Sequence, residues 1–151
     1  MIANASIFKD AWNVLYNVVS GAVADPATRG GSAWIFSSFP AIQEGKNDEF
    51  PGYPIITLES FQPDTELLTH GAGYMSCPLN TEISLFSKSK AQLDAVACDI
   101  FDAISSNRSV FVGSGFRLET ITPMGIDTDV ISRNNKIHAW TVGIGFKFNM
   151  I

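Results

Sequence analysis

At 151 residues, 46% of them hydrophobic, the chain has the length of one domain and enough apolar side chains for a core without disulfide or metal staples. Its formal charge of −5 comes from 10 Lys and Arg against 15 Asp and Glu, and no basic stretch is denser than Lys88 with Lys90; this excludes the clustered footprint of a phosphate-backbone binder. Charged residues make up only 17% of the chain, against roughly 25% in an average soluble protein, so part of the surface is expected to be covered by partners.

The first element is an amphipathic helix over about residues 5–22, capped by Asn4 or Ser6, with Phe8, Ala11, Trp12, Leu15, Val18, Val19 and Ala22 at helical spacing. Asp25-Pro26 and Gly30-Gly31 break it. Residues 33–39 and 54–60 read as strands, separated by a polar loop over 41–53. Residues 61–79 show no period and hold Pro63, Gly71, Gly73 and Pro78, so they read as one long loop. A third strand follows over 80–88.

Ser89-Lys90-Ala91-Gln92 then fits a capping box, and Leu93, Val96, Ala97, Ile100, Phe101 and Ile104 form a helical stripe behind it. Phe101 is expected to be core, so its replacement by alanine should leave a costly cavity. Gly113-Ser114-Gly115 is a turn. Strands are expected over 116–122 and 135–148, joined by a polar loop from Met124 to Asn134. In the last strand His138, Trp140, Val142, Ile144, Phe146 and Phe148 share one face by strict alternation. No repeat or boundary divides residues 1–151, which read as a single α+β domain: an antiparallel or mixed sheet with two helices packed on one face.

No catalytic centre, metal site or cofactor site is read from these residues. Cys77 and Cys98 make no metal-binding pair, Cys98 falling on the apolar side of its helix and Cys77 in a loop. Ser114 lacks the spacing of a nucleophile elbow. Asp127-Thr128-Asp129 opens like a calcium loop, but His138 stands where the bidentate glutamate is needed. The first apolar stretch carries Lys9 and Asp10, so no membrane span is expected, nor a secretory signal ahead of it.

The two loops are instead candidate contact segments. Leu67, Leu68, Tyr74 and Met75 have no periodic face on which to hide, and Tyr suits the centre of an interface. Asp64 and Glu66 in that loop, and Asp127 and Asp129 in the later one, would suit a surface facing a partner or a channel through which DNA moves without sticking.

Pro54-Ile-Ile-Thr-Leu-Glu59, Glu82-Ile-Ser-Leu-Phe86, Ser89-Lys90-Ala91-Gln92-Leu93-Asp94 and Lys136-Ile-His-Ala-Trp140 resemble, in order and length, the tail-terminator (tail-completion) proteins of long-tailed bacteriophages, over roughly residues 50–150. The resemblance implies a virion structural protein, assembled in the host cytoplasm. It would form a hexameric ring with copies of itself at the head-proximal end of the tail. Such a ring stops polymerisation of the tail-tube protein and presents a surface to the head–tail connector, while DNA passes through without specific binding. Two alternatives stay open: another phage neck, connector or tail-assembly protein, and a small ligand-binding or enzymatic domain.

Overall fold

The computed structural model describes residues 7–30, 33–40, 52–63, 75–132 and 135–150, with the backbone alone at 63, 75–77, 127–132, 135, 149 and 150. Helix α1 (Ile7–Ala22) buries Ile7, Ala11, Leu15, Val18 and Val19, the i, i+4 stripe that its sequence dictates. The cap expected at Asn4 or Ser6 lies outside the described residues.

The strands are β1 (Ile35–Phe36), β2 (Ile55–Leu58), β3 (Gln62–Pro63), β4 (Met75–Ser87), β5 (Phe116–Ser132) and β6 (Asn135–Met150). Among the described residues they make one sheet in the order β1-β2-β4-β6-β5, with β3 also pairing β4. β1 is parallel to β2, and every other pairing is antiparallel. The sheet is therefore mixed. β2 and β3 lie in line along one edge of β4, Ile55 opposite Phe86 at one end and Pro63 opposite Leu79 at the other.

One apolar layer joins the helices to a single face of the sheet. Ile56 and Leu58, Leu79, Ile83 and Leu85, and Trp140, Val142, Ile144 and Phe146 meet the buried stripes of α1 and of α2 (Lys90–Ser106) in one core. A third helix, α3 (Arg108–Gly113), was not expected; it adds the fully buried Phe111 to the same core. The two helices foreseen thus pack on one face, as expected.

Four expectations need correction. In the stretch 61–79 expected as one loop, residues 62–63 are β3, and residues 75–79 are the first part of β4, paired with 146–150 of β6. The long alternating β6 offers a template that overrides weak local preference, and Leu79 is wholly buried against it. Residues 124–132 are likewise strand, the far half of β5. They escaped notice because β5 carries register shifts between Leu118 and Thr120, Pro123 and Ile126, and Val130 and Ser132, and each bulge breaks the two-residue period. Phe101 is 40% exposed, with Ala103 buried in its place, because the buried stripe of α2 runs through Leu93, Val96, Ile100 and Ala103 and Phe101 lies one step to its side. Cys98 is exposed for the same reason, one step past Ala97.

The start of α2 shows a variation on the expected capping box. The Gln92 backbone N–H donates to Ser89 Oγ at 3.3 Å. The Gln92 side chain does not reach the Ser89 N–H; that group donates to Ser87 Oγ at 3.2 Å, and the Ser87 hydroxyl donates to Gln92 Oε1 at 2.9 Å. Ser87 is completely buried, so it bridges strand end and helix start. Ser87→Ala is expected to destabilise by about 1–3 kcal/mol, since it strips a buried relay of its centre. A shift of the urea midpoint at unchanged slope would measure it.

Candidate functional site

Alternation sends Asn80, Glu82, Ser84 and Phe86 of β4, and Ala139, Thr141, Gly143, Gly145 and Lys147 of β6, to the face opposite the helices. This outer face is polar and carries few charges. Ser84 and Thr141 share a hydroxyl–hydroxyl bond of 3.2 Å across the strands. A Cβ at Gly145 would collide with Thr120 Oγ1 and lie 3.2 Å from Asn80 Oδ1; one at Gly143 would touch the Met124 thioether at 4.0 Å. The two glycines let neighbouring side chains lie across β6, leaving a shallow trough of about 360 Å³ bordered by Gln62, Asn80, Glu82, Thr120 and Thr122. At the far end Phe39 stands edge-on to Phe86, with centroids 5.0 Å apart.

The two ends of the sheet differ. At one, β5 pairs only with β6, so its outer edge is open among the described residues. Gly125, at φ +96°, sits in the bulge between Pro123 and Ile126, a backbone conformation that glycine adopts freely. It is flanked by two exposed apolar side chains, Met124 at 59% and Ile126 at 46%. At the other end, Phe8, Lys9 and Trp12 of α1 form an open groove of about 430 Å³ with Ser37 and Ser60. Trp12 is pinned there: its indole N–H donates to the Leu58 carbonyl at 2.8 Å and its ring stacks on Tyr16 at 5.1 Å. Phe8 is 38% exposed.

The turn after α1 holds a partly buried ion pair. Arg29 Nε lies 2.8 Å from Asp25 Oδ2, with side-chain exposures of 17% and 3%. The guanidinium also donates to the carbonyls of Gly52 at 2.8 Å and Pro54 at 2.7 Å. This ties the turn after α1 to the segment that enters β2. Burial pushes the Asp25 carboxyl up, but the Arg29 guanidinium and the backbone N–H groups of Ala27 and Arg29 outweigh it and hold the group below the usual carboxylate value. Nearby, the Lys88 ammonium lies 5.6 Å from the centre of the Tyr53 ring, and burial raises the Tyr53 hydroxyl above its ordinary pKa.

Of the residues singled out from the sequence, Asp64, Glu66, Leu67, Leu68 and Tyr74 lie outside the described residues. Met75 opens β4 opposite Met150. Asp127 and Asp129 are strand residues opposite Ala139 and Ile137, not loop residues. His138 is half-buried between Ser87 and Thr128 in the strand register. Sequence reasoning missed Met124, Ile126 and the groove at Phe8. The signal was present in Met124-Gly125-Ile126, an apolar pair around a glycine inside a polar stretch. Among the described residues no three His, Cys, Asp or Glu converge as metal ligands, and no helix is long and apolar enough to cross a membrane. Compared with models of known protein families and with curated proteins, the chain matches none.

Proposed function

We propose that the chain is a virion structural protein of a long-tailed bacteriophage. It forms a hexameric ring at the head-proximal end of the tail, stops growth of the tail tube and joins the tail to the head connector. The observation that carries this reading is that, among the described residues, the sheet ends in two unlike margins: β5, with exposed Met124 and Ile126, and the β1 side, with the groove at Phe8 and Trp12. A subunit with two different contact surfaces associates head to tail, and such contacts close into rings when the rotation allows. The resemblance of residues 50–150 to tail-terminator proteins supplies the place in the virion. Glu59 and Glu82 are the charged groups of the trough on the outer sheet face, which would suit a channel wall that duplex DNA slides past; Lys147 and its cross-strand partner Arg117 on the same face would then lie outside the channel.

Native mass spectrometry and negative-stain microscopy of the purified protein test the proposal. The expected result is a closed six-subunit ring that, added to polymerising tail-tube protein, limits tube length. A protein that stays monomeric at high concentration and also in assembled particles would overturn it.

A further inference from the structure

We draw no further inference here: the strongest candidate, the trough on the outer sheet face where Glu59 and Glu82 stand beside Gly143 and Gly145, belongs to the site already described, and nothing in the structure shows what covers it.

Discussion

Phe146→Ala is expected to destabilise the protein by about 3–5 kcal/mol, the range for a buried aromatic replaced by a void. Phe146 is 1% exposed. Its ring stacks on Phe61 at 5.2 Å and meets Phe111 at 4.9 Å and Phe116 at 5.8 Å. These partners come from the segment between β2 and β3, from α3 and from the start of β5, so one ring ties four parts of the chain together. Filling the cavity would require all four to move at once, which is why little relaxation is expected. Phe101→Ala is the matched comparison: the same chemistry at a position 40% exposed should change stability by less than about 1 kcal/mol. Urea denaturation of the two variants measures both; equal losses would show that α2 buries a different face.

Arg29→Ala is the second large effect. It removes the cation from a carboxylate that is almost fully enclosed and frees two backbone carbonyls at the entry to β2. Breaking a buried pair on one side costs about 3–5 kcal/mol, since the remaining charge loses its compensation; the partly exposed Arg29 places the expectation near the lower value. Arg29→Lys should recover only part of this, because an ammonium cannot serve the carboxylate and two carbonyls in the planar fork that guanidinium offers. The pH dependence follows from the lowered Asp25 pKa. A depressed carboxylate pKa contributes stability that is present above the ordinary value of about 4 and is lost as pH falls through the lower, folded-state value. The gap in melting midpoint between wild type and Arg29→Ala should therefore narrow below about pH 4. A gap that stays constant down to the acid limit would mean that the ionised Asp25 is not what Arg29 holds.

The proposed contact surfaces were only half legible in the residues. Asp127 and Asp129 drew attention as acids in a polar stretch, yet their neighbours Met124 and Ile126, which carry the exposed apolar area, were passed over because isolated apolar residues in a polar segment carry no period. The groove at Phe8 could not be seen from α1 alone. In the helical pattern Phe8 belongs with the core stripe, and only the closing positions of Ser37 and Ser60 show where the groove beside Trp12 lies among the described residues.

Elements whose signal is local were legible in the residues. The i, i+4 stripes of α1 and α2, the Ser89 cap and the alternation of β6 each repeat a short-range rule several times over, so burial in the folded chain follows the pattern at Leu15, Leu93, Ile100, Val142 and Phe146. From these came the α+β class and the placing of both helices on one sheet face. Features that depend on a distant partner became visible only in the folded chain. Residues 75–79 and 124–132 are strand because β6 lies beside them, not because their own composition asks for it. Bulges and glycines such as Gly125 and Gly145 are settled by what must pass over or around them. Phe101 turns outward, and Ala103 inward, because the stripe that packing buries runs through Val96, Ile100 and Ala103, and Phe101 lies one step to its side. Local rules state what a segment prefers; long-range pairing sets which preference is met, since the free energy of burying one face against the sheet exceeds the few tenths of a kcal/mol per residue that local propensity supplies.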